Sequence, residues 1–306
     1  MESVKLTGNF SEDDYNPPSL SKKYHPSGKV TYVDDVKGEV GVPNVRVHIN
    51  FSTHSHNFYT NEDGSFEANG RFTWKVHFHV YFKCPEAAVY ANGGTGDEDV
   101  AGSYGGKATT CYDFGIDESP HKQNYAVIIS AAYDFFHKNN SLSKSRNNFI
   151  KIEYYGNNTQ YGHNYLKFTN GQHFGWGFKI YDMTVWHSKA FGTAIRGFAG
   201  VALETDTGLQ VDEYDSKVTN AWLEGAEWLI SKDAYNTAYS NLVRDLMDTE
   251  SSSYDKVSGY SIQTIYNCVK KSRTWNDFRN QLRSNAPSQA DRNNLDQLMN
   301  YWSSRY

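Results

Sequence analysis

Histidines and carboxylates are the side chains best able to do chemistry here. His48, His54, His56, His77 and His79 cluster in the first third of the chain. His77 and His79 are two apart in an alternating segment, so they share a strand face from which two imidazoles could reach one metal. No further ligand stands at an ordered spacing, so a solvated strand face is the simpler expectation. His163, His173 and His187 with Glu204 form a second set, but no spacing puts them on a common helix face. Glu224 and Glu227, beside Trp222 and Trp228, have the residue types of a glycosidase carboxylate pair. Three apart on one helix, they read more simply as a solvated face. No HExxH, GxSxG, P-loop or glycine-rich dinucleotide motif is present.

One helix is odd. In "TAIRGFAGVALETD" (193–206), Phe191, Ala194, Ile195, Phe198, Ala199 and Ala202 recur at helical spacing, an apolar face. Gly197 and Gly200 interrupt it, each costing about 1 kcal/mol relative to Ala, and Arg196 stands between Ile195 and Gly197. Glycines at such positions commonly mark close approach of another group.

These residues need elements to hold them. Residues 1–25 are polar, with two adjacent prolines, and read as an irregular tail. From 26 to about 89 the pattern is β: "GKVTYVDD", "VPNVRVHINF" and "TWKVHFHVYF" alternate with period two, and Asp63-Gly64 makes a turn. In the last run Trp74, Val76, Phe78, Val80 and Phe82 form the apolar face. Residues 91–120 are rich in Gly, Asp and Thr and read as a long loop, with a domain boundary near 115 to 122. The rest is mostly helical: 124–136, 216–230 and 234–247, then helices opening at Ser261, Thr274 and Ser288. Ser216 is the expected cap of the 216–230 helix. Strand runs at 148–155 and 173–182 interrupt the order, the latter alternating Phe174, Trp176, Phe178 and Ile180. The whole is α+β, an antiparallel β-sandwich at 26–115 followed by a mainly helical domain with a small sheet at 116–306.

Composition limits the function. The chain has 306 residues, net charge −5, 21% charged and 38% hydrophobic residues, which suits a folded protein without the basic footprint of nucleic-acid binders. No apolar run approaches the roughly 20 residues of a membrane helix. The start "MESVKLTGNF" has no hydrophobic stretch, so any export signal is expected to have been trimmed. Cys84 and Cys111 could bridge in an exported protein, whereas Cys268 reads as a small buried hydrophobe.

Two resemblances add to this. Gly28-Lys29-Val30, Val42-Pro43-Asn44-Val45, Thr60, Asp63-Gly64 and Phe66 resemble the prealbumin-like, carboxypeptidase regulatory-like domains, which are usually noncatalytic appendages. The second part is similar to secreted Bacteroidetes proteins that follow such a domain with a zincin-like metallopeptidase. Their active helix reads close to "TTIHELAHAAHW" and the next long helix close to "ESWAxGVxW". Here Thr193, Ile195, Ala199 and Ala202 match the first framework, and Trp222, Gly225 and Trp228 the second.

The resemblance implies a zinc site whose residues are gone. Arg196 stands at the first ligand histidine, Gly197 at the catalytic glutamate, Gly200 at the second histidine, Leu203 at a further histidine and Asn220 at the third ligand. A guanidinium has no free lone pair for zinc, and glycine has no side chain. The expectation is therefore a catalytically inactive, exported or cell-surface protein without zinc. It would bind a peptide, protein or glycan through a cleft near His187, Glu204, Trp222 and Glu224. The alternatives are an active hydrolase with a different metal centre and a carbohydrate-binding protein carried by Phe174, Trp176 and Phe178.

Overall fold

A computed structural model describes residues 23–35, 37–51, 54–91, 111–116, 120–138, 149–156, 165–169, 177–182, 187–231, 237–250 and 252–305. It is a mixed α+β chain with several small, mainly antiparallel sheets. It divides into two compact units: Met1–Tyr133 with Ile152–His163 and Tyr181–His187, and Asp134–Lys151 with Asn164–Ile180 and Ser188–Tyr306. The units interleave along the sequence, whereas the expected domains, 26–115 and 116–306, follow one another.

In the first unit β1 (Ser27–Asp34) is central to one sheet. It pairs antiparallel with β2 (Gly38–Gly41) and β5 (Ser65–Glu67). A second sheet orders as β4 (His54–Tyr59), β3 (Arg46–Phe51) and β6 (His77–Tyr81). Phe66 of the first sheet packs against Phe58 and Phe78 of the second, at ring separations of 5.5 and 5.9 Å. Val30, Val47, Ile49, Val76, Phe78, Val80 and Phe82 are buried, as the alternation requires. The short motif residues converge here. The Thr60 hydroxyl accepts the Val45 N–H and donates to the Val42 carbonyl. Gly64, at φ +83°, closes the turn, a conformation that favours glycine. A Cβ on it would stand 2.3 Å from the Val30 carbonyl oxygen.

Three expectations about this region change. The loop expected over 91–120 contains a strand: β8 (Phe114–Ile116) pairs parallel with β1. Parallel pairing between distant segments leaves no local signal in three residues. The tail expected over 1–25 is anchored at its end, where Tyr24 and Phe72 exchange backbone hydrogen bonds and the Tyr24 hydroxyl donates to the Trp74 carbonyl. Residues 1–22 and 92–110 lie outside the described residues. Cys84 is buried and Cys111 exposed, and the two do not form the bridge that their spacing allowed.

β7 (Ala87–Ala91), α1 (Pro120–Tyr133) and most of β9 (Ile150–Gly156) complete this unit. The Asn124 amide of α1 donates to the Tyr154 hydroxyl of β9 at 2.8 Å, and Tyr125 stands edge-on to Phe82 and Tyr154.

The second unit is helical apart from β10 (Tyr165–Thr169) and its neighbour β11 (Gly177–Asp182), which lies mostly within it. A π-helical turn (Asp134–Lys138) leads in. Then come α2 (His187–Thr207), α3 (Ser216–Ser231), α4 (Ala238–Met247), α5 (Ile262–Lys270), α6 (Trp275–Ser284) and α7 (Gln289–Ser303). Ser261, Thr274 and Ser288 cap their helices through side-chain oxygens, as expected. The cap of α3 is Asp215, not Ser216: its carboxylate accepts the Lys217 N–H and its carbonyl the Val218 and Thr219 N–H groups.

α2 is more deeply set than one apolar stripe predicts. From Thr193 to Glu204 every residue except Arg196 is buried. A helix buried all round belongs to the middle of a domain. Phe198 is its hub, with Phe135, Phe136 and Phe178 rings 6.0, 5.5 and 5.2 Å away.

Candidate functional site

Of the positions singled out on α2, Arg196 faces α3, whereas Gly197 faces Phe178. The two helices run antiparallel: Gly192 and Arg196 meet Glu227, and Ala199 meets Trp222. That register sets Gly200 about level with Asn220. Asn220, Glu224 and Glu227 are four and three apart, so they form one stripe of α3.

Arg196 is spent inside this interface. Its Nε lies 3.1 Å from Glu227 Oε2, and an Nη donates to Thr193 Oγ1 at 3.3 Å. Gly192, one turn before Arg196, makes the space: a Cβ there would stand 2.1 Å from Glu227 Oε1. Burial raises the Glu227 carboxyl above the usual carboxylate range, Arg196 pulls it back and Glu224 pushes it further up. Glu224 is also raised by burial and accepts a short hydrogen bond from Thr237, the cap of α4. Glu224 and Glu227 are therefore not the solvated face that their spacing suggests. They belong to a half-buried ionic clasp between α2, α3 and the start of α4.

This clasp is testable. Arg196→Met strands the Glu227 carboxylate and should cost roughly 2 kcal/mol at pH 7, below the range for fully buried pairs because the guanidinium is partly exposed. The cost should shrink toward pH 5, where an unpaired carboxyl with a raised pKa protonates. Adding Glu227→Gln should recover most of it. Denaturant midpoints of the two single variants and the double variant measure the coupling, and strict additivity would refute the clasp.

Gly197 has a different reason. A Cβ there would stand 2.4–2.6 Å from three atoms of the Phe178 ring. The ring occupies the space a side chain at 197 would need. Gly200 is buried. Gly225 plays the same part between α3 and α4, where a Cβ would meet Val243 Cγ2 at 2.5 Å.

Three of the residues expected to line a cleft, Trp222, Glu204 and His187, are buried. Trp222 is fully buried, donates its Nε1–H to the Ala199 carbonyl at 2.9 Å and stacks on Tyr266 at 4.3 Å. It is a core anchor. Glu204 is 2% exposed near the end of α2 and accepts the Val211 N–H at 3.0 Å. Its carboxyl is pushed up to about 7, chiefly by burial and further by Asp212 and Glu213, with the Val211 hydrogen bond opposing. His187 is buried in the first unit, edge-on to Tyr32 at 6.0 Å. His163, His173, Phe174 and Trp176 lie outside the described residues.

The histidines of the β unit are also placed differently from expectation. His77 and His79 do share a strand face, but both are buried rather than solvated. The β3–β6 register sets His48 opposite His79 and Asn50 opposite His77. His48 bonds Asn57 at 2.9 Å, and Asn50 lies 3.4 Å from His79 Nε2. The result is a polar face of cross-strand pairs. Among the described residues no three His, Cys, Asp or Glu side chains come together to hold a metal ion.

Sequence reasoning missed Gly192 and Thr237 and gave Phe178 to sugar binding, yet all three decide the local packing. Gly192 lies one turn before Arg196 and could have been read as a notch. Thr237 and Phe178 come from separate segments, and no local pattern links them to α2.

No family model and no curated protein matches the sequence. Among solved structures, a 9R-lipoxygenase from Cyanothece PCC8801 shares 12% identity over 44% of this chain and 26% of that enzyme, with a TM-score of 0.16. The chain thus spans about a quarter of the lipoxygenase. So low a score carries no argument about fold or chemistry.

Proposed function

We propose that this chain is a catalytically inactive relative of zinc peptidases that acts outside the cell or at its surface by binding a peptide or protein. In this reading the β unit is a prealbumin-like appendage and the helical unit a zincin-like fold. The single observation that carries it is the Arg196–Glu227 clasp. It occupies the place on α2 where the related helix would present its first zinc ligand. The residues present do not fit a zinc ion: Arg196 offers no lone pair and is neutralised by a carboxylate, and the place of the catalytic glutamate is packed by Phe178. No hydrolytic step is derived through a metal there.

The register of α2 against α3 also supports the reading, because it sets Arg196, and Gly200 one turn on, along the side of α2 that meets the Asn220–Glu224–Glu227 stripe of α3. A glycan-binding role loses part of its motive. Phe178, the described member of the alternating aromatic run, is fully buried against α2 and offers no ring face to a sugar. No helix among the described residues is long and apolar enough to cross a membrane.

Metal analysis of the full chain after zinc loading and dialysis, paired with a peptide-cleavage assay, tests the proposal. The expected result is no zinc whose retention depends on Asn220 or Glu224, and no cleavage. One equivalent of zinc lost on Asn220→Ala, together with chelator-sensitive cleavage, would overturn it.

A further inference from the structure

The turn between α2 and α3 carries a buried carboxylate with no counter-charge. Glu204 sits one turn before Gly208, which ends α2 in the left-handed region at φ +73°. The Gly208 N–H closes back on the Glu204 carbonyl at 2.8 Å. The Glu204 side chain then reaches forward, past the helix end, to the backbone N–H of Val211. Its second oxygen, Oε2, is buried without a hydrogen-bond partner.

The charged groups that face it are Asp212 and Glu213 of the Val211–Glu213 turn, both acidic. On its own helix the nearest charge is Asp206, engaged by the Tyr266 hydroxyl and Lys270. Glu204 therefore has two acidic neighbours across the turn and one acceptor-side hydrogen bond. A carboxylate so placed is costly to ionise, because burial penalises the charge and its neighbours repel it.

The turn itself is fixed at both ends. Gly208 is the upstream pivot. Downstream, Asp215 is tied to the α5–α6 connection: its N–H donates to the Arg273 carbonyl and its carboxylate accepts the Trp275 N–H. Arg273 also lies over the Tyr214 ring at 5.5 Å. Between these anchors the Val211 N–H has the Glu204 side chain as its acceptor.

We propose that Glu204 is a proton-operated latch, closing the Val211–Glu213 turn onto the end of α2 while protonated and releasing it when ionised. Release lets water reach the carboxylate and separates it from Asp212 and Glu213. The sign follows from linkage. The carboxyl holds its proton more tightly closed, near 7, than open, near its ordinary 4.5. The latch is therefore tightest below pH 4.5, loosens as pH rises, and is fully relaxed above 7. From well below pH 4.5 to well above 7 the closed-to-open ratio falls roughly 300-fold in all.

Amide hydrogen exchange at Val211, followed by NMR in the full chain and corrected for the intrinsic pH dependence of exchange, reads the latch directly. In the wild type the protection factor should fall by about 80-fold between pH 4.5 and 7 and level off about one pH unit higher. Glu204→Gln, which removes the titration, should give a flat profile. Asp212→Asn should move the wild-type midpoint toward lower pH, since it removes one repulsive charge. The Glu204 carboxyl carbon, followed by its own chemical shift in the unaltered protein, should titrate near neutrality. A carboxyl that titrates at its ordinary value, or a wild-type protection profile parallel to that of Glu204→Gln, would overturn the proposal.

Discussion

Gly197→Ala lowers the stability of the helical unit by about 3 kcal/mol, the upper range for overpacking a filled core. The added methyl would stand 2.4 Å from a carbon of the Phe178 ring, and that ring is held edge-on by Phe198 at 5.2 Å. Neither side can yield without disturbing the cluster that centres on α2. The loss is read as a lower denaturant midpoint for the transition followed by helical circular dichroism. Phe178→Leu on its own also destabilises, by vacating part of the cluster. Combined with Gly197→Ala, it should cost clearly less than the two single losses together, because each change relieves the other. If the losses add, Gly197 and Phe178 do not share the space described. Gly197→Glu should be worse than Gly197→Ala. It adds an ionisable group to the same filled volume.

The second large effect is at Trp222. Its removal as Trp222→Ala should cost about 3–5 kcal/mol, the range for truncating a large buried aromatic side chain. Trp222→Phe should be milder, on the order of 1–2 kcal/mol, since it keeps a ring against Tyr266 but loses the hydrogen bond to the Ala199 carbonyl. Equilibrium unfolding of both variants separates the two contributions. A cost below 1 kcal/mol for Trp222→Ala would mean that the indole is not a core anchor and would return it to the surface role expected of a cleft residue.

The elements were legible wherever a local pattern specified them. The caps Ser261, Thr274 and Ser288 were readable because a cap is chemistry within four residues. The alternation from Val76 to Phe82 named its buried face correctly. It could not show that the opposite face, with His77 and His79, is buried as well. An apolar face is evident from composition, whereas the covering of a polar face depends on what packs over it. The same limit explains β8, whose partner is more than eighty residues away.

The candidate site was half legible. Arg196 and Gly197 were marked by being the wrong types for their helix positions, and both prove to be interface residues. Their roles were not readable, because Phe178 and Gly192 set those roles. Spacing on a helix says which residues share a face. It does not say whether that face meets solvent, which is why Glu224 and Glu227 read as solvated.

Gly192 against Glu227, Gly197 against Phe178 and Gly225 against Val243 are each one volume divided between two positions. In homologues that keep this arrangement, the two members of each pair should drift together: a larger residue at the glycine accompanied by a smaller one at its partner. At the first pair charge is included too, since a homologue that fills the Gly192 notch has no room for the Glu227 carboxylate and no counter-ion for an arginine at 196. Three such correlated exchanges in a family alignment would form a heritable signature of the α2 environment, readable from side-chain volumes alone.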